Sequence, residues 1–251
     1  METTRKICAT LLVTVLLLCG CANTGGNGPV TGSQELHLTE DRHKIAIFAD
    51  GPPNGFWARQ DRGNGPPFNC AFRQENATVE NGVLTLSLTK TDGGYAGAEY
   101  RSWEKYGYGF YSVSMKAASC SGVISSFFIY CGWPWDEIDI EFLGNDTTKV
   151  QFNYYTHGKG NHEYIYDLGF DAAGDFHEYA FDWQEDSITW YVDGKPVYQA
   201  TENIPSAPGN IMMNLWNVAD SNAGWAGKFS GDSLPVFARY QWIGYRSAED
   251  A

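Results

Sequence analysis

Acidic and apolar residues alternate strictly along residues 137–142, which read Glu-Ile-Asp-Ile-Glu-Phe. A period of two is typical of a β-strand, because successive side chains of a strand point to opposite faces. Glu137, Asp139 and Glu141 therefore share one face, and the apolar residues share the other. Packing against a core accounts for the apolar face. The acidic face needs another explanation, because neighbouring carboxylates repel one another.

Similar patterns predict strands along most of the chain. Residues 83–88 and 188–192 indicate half-buried strands, and residues 122–130 indicate one continuous strand. The pairs Asn81-Gly82 and Asp193-Gly194 stand between apolar runs and favour two-residue hairpin turns. Short strands between turn signals, with few helical patterns, predict a single all-β domain built as a sandwich or a barrel.

The acidic face allows two interpretations. It could be the solvated side of an ordinary amphipathic strand, although the run contains no Lys or Arg to balance its charge. It could instead serve glycoside hydrolysis, which needs one ionised and one protonated carboxyl group, and crowding separates their pKa values. Glu137 and Glu141 are about 13 Å apart along a strand. Their carboxyl groups can lean together, so spacing alone leaves a retaining and an inverting mechanism open.

Bulk composition excludes some classes of partner. The chain has 251 residues, is 43% hydrophobic and has a net charge of −13, with a pI near 4.7. This charge argues against nucleic acid and against an anionic membrane surface as partners. It is compatible with a neutral substrate and a secreted protein.

The N-terminus has the pattern of a targeting segment. Arg5 and Lys6 precede an apolar run over residues 7–18, which is too short to span a bilayer as a mature helix. The following Leu-Cys-Gly-Cys at 18–21 resembles a bacterial lipobox, which would make Cys21 the lipidated residue. A plain secretory signal cleaved nearby is the alternative. We expect a secreted or cell-surface protein that touches the membrane only through its lipid anchor.

The sequence W-D-E-I-D-I-E-F-L-G at 135–144 is similar to the signature of glycoside hydrolase family 16, and specifically of its bacterial lichenases. The likeness extends over about residues 68–242. It is carried further by segments 147–156, 168–171, 179–184, 190–194 and 203–217. The resemblance implies a concanavalin-like jelly-roll sandwich of two curved antiparallel sheets, with the active cleft on the concave face.

The same resemblance implies an activity and a division of the chain. A lichenase is a retaining endo-β-1,3-1,4-glucanase that cuts β-1,4 bonds next to 3-substituted glucose in mixed-linkage β-glucan. The chain then consists of a lipoprotein-type signal peptide (1–20), a flexible tether (21–40) and a family 16 catalytic domain (41–251). We expect a monomer that requires no cofactor.

Residue roles follow from the matching positions. By resemblance Glu137 is the nucleophile, Glu141 is the acid/base, and Asp139 assists between them. Chemistry supports this order, because Glu137 loses its charge when it becomes a glycosyl ester. The pKa of Glu141 should then fall, which suits its change from acid to base.

Other residues are candidates for binding the sugar chain. Glu99 and Arg101 share a strand face, either as a surface ion pair or, by resemblance, as cleft residues that bind sugar hydroxyls. Phe128 and Tyr130 share a strand face that points either into the core or into the cleft. The family resemblance favours the cleft, where their rings would stack on sugar rings. Alternation and resemblance together add Trp135, Asn153, Tyr155, Asn214 and Trp216, with Met212 beside them and Trp225 as a further wall. The polar contact expected from the N-terminal loop falls on Asp50 or Asn54.

Three cysteines lie beyond the signal and the lipobox. Many lichenases bridge the residue that matches Cys70 to one that matches Gly97, so that bridge is expected to be absent. Cys120 and Cys131 flank the predicted strand at 122–130, whose ends are about 30 Å apart, far beyond disulfide reach. We leave the state of Cys70 open.

Metal binding is doubtful from the sequence. Lichenases often hold a structural calcium through an Asp near the C-terminus, where this chain has Gln241. A neutral amide holds Ca²⁺ with less charge. The histidines show no metal-ligand spacing; they are His37, His43, His157, His162 and His177.

Related activities remain as alternatives. Xyloglucan endotransglycosylases share a D-E-I-D-x-E-F-L-G core, and laminarinases often carry an extra residue before the last Glu. The segments outside the motif favour a lichenase over both. A non-catalytic, lectin-like sandwich is opposed by the intact acidic trio.

Overall fold

The computed structural model describes residues 26–30, 43–60 and 63–250. The predicted signal peptide and Cys21 lie outside the described residues. Two antiparallel β-sheets pack face to face, and the order of the strands does not close them into a barrel. Of the two architectures that the strand pattern allowed, the sandwich is therefore confirmed.

One sheet carries the alternating acidic strand. Its strands are β3 (Phe56–Ala58), β7 (Gly94–Tyr106), β9 (Val123–Tyr130), β10 (Glu137–Leu143), β11 (Lys149–Tyr155), β12 (Tyr164–Asp167) and β16 (Gly209–Asn217). Across the sheet they lie in the order β3–β7–β16–β9–β10–β11–β12, and every neighbouring pair is antiparallel. We call this the acidic sheet.

The opposite sheet runs β5–β6–β17–β8–β13–β14–β15–β1, with β2 also paired to β17. Its strands are β1 (Gly28–Pro29), β2 (Lys44–Ile47), β5 (Ala77–Glu80), β6 (Val83–Thr91), β8 (Gly109–Lys116), β13 (His177–Trp183), β14 (Ile188–Val192), β15 (Lys195–Ala200) and β17 (Val236–Ser247). The β6–β7 pairing joins the two sheets, and a short β4 (Ala71–Phe72) lies parallel to β7.

Helical structure is limited to single turns in the described residues. An α-helical turn, α1, covers Ala223–Ala226. The 3-10 turns are Phe48–Asp50, Gln74–Asn76, Asp220–Asn222 and Ala248–Asp250. No helix in the described part of the chain is long and apolar enough to cross a membrane.

Aromatic side chains fill the space between the sheets. Phe142 contacts Tyr179 with ring centroids 4.8 Å apart, and Phe152 lies 5.6 Å from Trp190. Trp190 also donates a hydrogen bond of 3.2 Å to the backbone carbonyl of Asp139, which ties the acidic strand to the opposite sheet. Ile138 and Ile140 are fully buried in this core, as their alternation predicted.

Both predicted hairpin turns are confirmed. Asn81 and Gly82 have φ angles of 51° and 80°, and Asp193 and Gly194 have φ angles of 47° and 75°. Two successive positive φ angles are the requirement of the tight turn that Asn-Gly and Asp-Gly pairs favour.

Part of the predicted tether differs from expectation. Gly28 and Pro29 pair with Gln199 and Tyr198 of β15, so residues 26–30 dock on the sandwich. The side chain of Asn27 explains the docking. Its amide donates to the Tyr154 hydroxyl at 3.0 Å, and its oxygen accepts from the backbone of Thr201 at 2.8 Å.

The described cysteines are free thiols. Cys120 and Cys131 are unbridged, as expected from the strand between them, and Cys70 is also free. A side-chain carbon added to Gly97 would lie 2.8 Å from the sulfur of Cys70. The two positions that the resemblance implied as disulfide partners, 70 and 97, are therefore in contact, but Gly97 has no sulfur with which to form the bridge.

Candidate active site

A cleft of about 940 Å³ crosses the acidic sheet. Apart from the N-terminal loop contact, every candidate catalytic and sugar-binding residue selected from the sequence lines this cleft. These are Glu99, Arg101, Phe128, Tyr130, Trp135, Glu137, Asp139, Glu141, Asn153, Tyr155, Asn214 and Trp216. Met212 and Trp225 line it as well.

Strand register explains why these residues meet. Asp139 pairs directly with Asn153 on β11 and with Phe128 on β9. Glu137 pairs in the same way with Tyr155 and Tyr130. Directly paired residues point to the same face of a sheet, so the cleft face repeats the alternation of each strand.

The acidic trio has strongly perturbed ionisation. Burial raises the pKa of Glu137 to about 7, although hydrogen bonds from Trp135 and Asp139 oppose the shift. Burial, together with the charge of Glu137, raises the pKa of Glu141 to about 7. Burial and both neighbouring glutamates raise the pKa of Asp139 well above its usual range. The three carboxyl groups therefore share protons at neutral pH instead of all ionising.

Each of the two glutamates accepts a hydrogen bond from a neighbouring side chain. The indole N–H of Trp135 donates to the carboxylate of Glu137, and the Trp135 ring stacks on Tyr155 with centroids 4.4 Å apart. The side-chain amide of Gln151 donates to Glu141 Oε2 at 2.7 Å. Trp225 Nε1 in turn donates to Gln151 Oε1 at 3.0 Å, which fixes the orientation of that amide.

Asp136 points away from the cleft and supports the loop that carries Trp135. Its carboxylate accepts backbone N–H bonds from His157 at 2.7 Å, Ser206 at 2.9 Å and Ala207 at 3.0 Å. The side chain is buried. The Asp of the W-D-E sequence is therefore a structural anchor between three loops.

Glu99 and Arg101 do form an ion pair, but it lines the cleft and not the outer surface. Glu99 is only 2% exposed and lies 3.4 Å from Arg101 and 3.3 Å from Arg59. Burial raises the pKa of Glu99, and the two arginines oppose that shift. Arg101 also donates to Asn210 Oδ1 at 3.0 Å. These contacts fix charged donors and acceptors on the cleft wall.

The aromatic candidates are buried to different degrees. Phe128 is buried beneath the cleft, whereas Tyr130 is half-buried and Trp135 is 39% exposed. Trp216 is buried in a small cluster, where its ring lies 4.1 Å from Phe68. Phe128 and Trp216 therefore pack against neighbouring side chains and also line the cleft.

The structure adds cleft residues that the sequence reasoning missed. Neither Asp50 nor Asn54 is among the residues that line the cleft, and the segment between β3 and β4 contributes Arg59, Asn64, Pro67 and Phe68 instead. Ser126 and Gln151 alternate with selected residues of β9 and β11, so the period of two could have identified them. Glu163 lies after a loop and raises the pKa of Asp139 and Glu141 by its charge, and no strand pattern marks it.

The residues at the expected calcium position do not fit that ion well. Gln241 is neutral, and its side-chain oxygen accepts a 2.9 Å hydrogen bond from Ser114. The described residues include no group of three or more acidic, histidine or cysteine side chains that could hold a metal. We therefore assign no step of the chemistry to a metal.

Comparison with known proteins places this site in a family. The family model of glycosyl hydrolases family 16 matches residues 64–232, which include the whole acidic strand. The chain is a family 16 glycosyl hydrolase. The family assignment made from the W-D-E-I-D-I-E-F motif is confirmed.

Similar family 16 proteins are β-glucanases. The β-glucanase of Bacillus subtilis (strain 168) is 52% identical over 207 residues, which cover 78% of this chain and 83% of that protein. A prokaryotic β-1,3-1,4-glucanase (lichenase) from a mouse hindgut metagenome superimposes with a TM-score of 0.75 at 49% identity, covering 80% of this chain and 96% of that one. The Bacillus licheniformis β-glucanase gives a TM-score of 0.76 at 45% identity, covering 90% and 100%. The jelly-roll fold expected from the resemblance is confirmed.

Proposed function

We propose that this family 16 enzyme is a retaining endo-β-1,3-1,4-glucanase. Its substrate would be mixed-linkage β-glucan, cut at β-1,4 bonds next to a 3-substituted glucose. The observation that carries the proposal is the set of three carboxyl groups on one strand, all facing a cleft lined by aromatic and amide side chains. The similarity to β-glucanases, one of them a β-1,3-1,4-glucanase, supports the substrate.

The reaction proceeds in two displacements. The ionised carboxylate of Glu137 attacks the anomeric carbon, while Glu141 gives its proton to the departing glycosidic oxygen. The ionised Glu137 favours a protonated Glu141 before this step, because its charge raises the pKa of Glu141. Glu141 is now a carboxylate, and it remains ionised because Glu137 has become a neutral ester that no longer raises its pKa. It can therefore take a proton from water. That water attacks the anomeric carbon and releases Glu137 as a carboxylate.

Asp139 lies between these two residues and hydrogen-bonds Glu137. Its raised pKa makes a protonated Asp139 a donor to the nucleophile in the resting enzyme. When Glu137 becomes a glycosyl ester it loses its charge, and its hydrogen bond from Asp139 weakens. The proton of Asp139 then helps to balance the changing charge of the three carboxyl groups. Trp135 holds Glu137 from the other side through its indole N–H.

Substrate choice tests the proposal directly. We expect the mature chain to cut barley β-glucan into short 3-linked oligosaccharides and to leave laminarin and xyloglucan intact. Cleavage of laminarin or xyloglucan instead would keep the fold and the trio but overturn the substrate. A lectin-like sandwich would bind glucan and release no products, and Glu137→Gln would then change nothing.

The N-terminus and the assembly state belong to the same proposal. Residues 1–20 would direct export, Cys21 would carry the lipid, and the enzyme would act as a cell-surface monomer. Replacement of Cys21 by Ser should release the enzyme from the membrane fraction and abolish incorporation of a labelled fatty acid. Retention of label by the variant would contradict the lipobox assignment.

We also propose that the enzyme needs no metal for its stability or its activity. Because Gln241 supplies a neutral oxygen that already accepts a hydrogen bond, we expect chelation of calcium to leave the Tm and the activity unchanged. A clear fall in Tm with a chelator, restored by calcium, would show that backbone oxygens suffice for a site.

A further inference from the structure

Two tryptophans stack on each other near the edge of the acidic sheet. The rings of Trp57 on β3 and Trp103 on β7 have centroids 5.0 Å apart and planes 23° from parallel. Trp103 is 64% exposed, which is unusual for the largest apolar side chain. Neither residue is among those that line the cleft.

Strand register joins this pair to the catalytic residues. Asp139 pairs with Phe128, Phe128 with Met212, Met212 with Arg101, and Arg101 with Trp57, in one row across five strands. Every residue of the row before Trp57 lines the cleft. At about 4.8 Å between strands, Trp57 lies about 19 Å from the acidic strand. The tryptophan pair therefore continues the cleft several sugar units from the reacting bond.

Trp103 lies in an irregular part of β7. Between the pairs Lys105–Asn210 and Arg101–Met212, β7 has three residues where β16 has only Ile211. Trp103 is two residues from Arg101, so the alternation of β7 keeps its side chain on the same face as Arg101, where it stacks on Trp57. The backbone N–H of Trp103 donates to Gly55 at 2.7 Å, which ties this part of β7 to the loop before β3.

A buried side chain holds this part of β7 in shape. The amide nitrogen of Asn210 donates to the carbonyls of Ser102, Trp103 and Glu104 at 3.1, 3.3 and 3.1 Å. The oxygen of the same amide accepts from Arg101. The Arg101 guanidinium lies 5.7 Å from the Trp57 ring, so it contacts both the cleft wall and the tryptophan pair. One polar network thus sets the positions of the cleft wall and the exposed ring.

We propose that Trp57 and Trp103 form a distal binding subsite for a further glucose unit of the same β-glucan chain. The inference rests on the proposed function. An exposed indole offers a flat apolar surface to the C–H face of a sugar ring, and Arg101 supplies donors for its hydroxyl groups. A contact so far from the reacting bond stabilises bound substrate and transition state equally, so it lowers KM and leaves kcat unchanged.

Chain-length dependence tests the subsite. Wild type, Trp103→Ala and Trp103→Phe are compared on purified mixed-linkage gluco-oligosaccharides of increasing length and on the polymer. We expect Trp103→Ala to lose about fivefold to tenfold in kcat/KM on long substrates, through KM, and nothing on the shortest cleaved substrate. Trp103→Phe should retain most of the activity because it keeps a flat ring.

Matched controls separate binding from folding. Trp242→Ala removes an indole from the opposite sheet, where Lys44 lies 5.2 Å from the ring, and it should leave kcat/KM unchanged at every length. An equal loss for Trp103→Ala at all lengths, or no loss at any length, would overturn the subsite.

Binding without turnover separates this inference from the proposed function. Electrophoresis through a gel that contains barley β-glucan retards a protein that binds the polymer. In a Glu137→Gln background, Trp103→Ala should be retarded less than its parent. If wild type does not cut β-glucan, the proposed function fails whatever the gel shows. If wild type cuts it and the two variants migrate alike, only the subsite fails.

Discussion

Gln151 donates a 2.7 Å hydrogen bond to the carboxylate of Glu141, and Trp225 holds the amide of Gln151 from behind at 3.0 Å. The bond favours the ionised form of Glu141 and lowers its pKa, against burial and the charge of Glu137, which raise it. Gln151 and Trp225 thus influence how tightly Glu141 holds the proton that it gives to the leaving oxygen. They are positioning residues for the acid/base, since Gln151 contacts Glu141 and Trp225 acts through Gln151.

Replacement of Gln151 by Leu should move the pH profile. Without the amide donor the pKa of Glu141 rises above about 7, and Glu141 must be protonated to act as an acid. Activity on β-glucan falls as the pH rises through this pKa, so the alkaline limb should move up by as much as about one pH unit. The measurement is kcat/KM against pH.

Trp225→Phe is the companion variant for the same prediction. It keeps a ring and removes only the indole N–H that orients Gln151, so a smaller shift in the same direction is expected. If both variants lose activity equally at all pH values, the two side chains serve folding or sugar binding instead of the pKa of Glu141.

The two glutamates should respond differently to the leaving group. Glu141→Gln removes the acid, so hydrolysis of β-glucan should fall by about 10² to 10⁴. An aryl β-glucan oligosaccharide with an acidic phenol as leaving group needs no such proton, and it should still release phenol in a rapid first turnover. Glu137→Gln should abolish reaction with both substrates because no nucleophile remains. A phenol burst from Glu137→Gln, and none from Glu141→Gln, would reverse the two assignments.

The alternation of residues along strands was enough to identify most of this site, because directly paired residues on neighbouring strands point to the same face of the sheet. Glu137, Asp139 and Glu141 follow from β10 alone, and Asn153 and Tyr155 follow once β11 is beside it. The family resemblance then supplied the roles, which periodicity cannot provide.

Three features could not be predicted from the sequence for identifiable reasons. The irregular pairing at Ser102–Glu104 is held by the distant Asn210, and no local pattern of residues marks it. Asn64 belongs to an irregular loop that has no period. Residues 26–30 have the composition of a linker, but backbone pairing with β15 and the hydrogen bonds of Asn27 to Tyr154 and Thr201 dock them on the sandwich. In each case a long-range hydrogen bond or an irregular backbone overrides the local pattern.

Asp136 should matter more for stability than its position beside the nucleophile suggests. Asp136→Ala leaves three backbone N–H groups of nearby loops without their acceptor and should cost about 2–4 kcal/mol in the free energy of unfolding. Asp136→Asn keeps one acceptor oxygen and should cost less. Urea denaturation measures both.

The matched control for this prediction is Asp146→Asn. Asp146 is partly exposed and pairs with Lys149 at 2.9 Å, and an exposed ion pair contributes little to stability. Equal losses for Asp136→Ala and Asp146→Asn would mean that the three backbone bonds do not contribute to stability as inferred.

The contact between Gly97 and Cys70 predicts opposite effects for two small substitutions. A side-chain carbon at position 97 would lie 2.8 Å from the Cys70 sulfur and 2.4 Å from the carbonyl oxygen of Leu215, so Gly97→Ala should destabilise the fold by about 1–3 kcal/mol.

Gly97→Cys meets the same crowding when reduced, but on oxidation a bond to Cys70 replaces the repulsive sulfur contact. Closing the loop 70–97 would contribute about 3–4 kcal/mol by chain entropy, less the strain of moving Leu215. We therefore expect the Tm of Gly97→Cys to rise on oxidation and fall below wild type on reduction, with no redox response when Cys70 is also replaced by Ser. A Tm that is the same in both redox states would show that the Leu215 carbonyl keeps the two sulfurs apart.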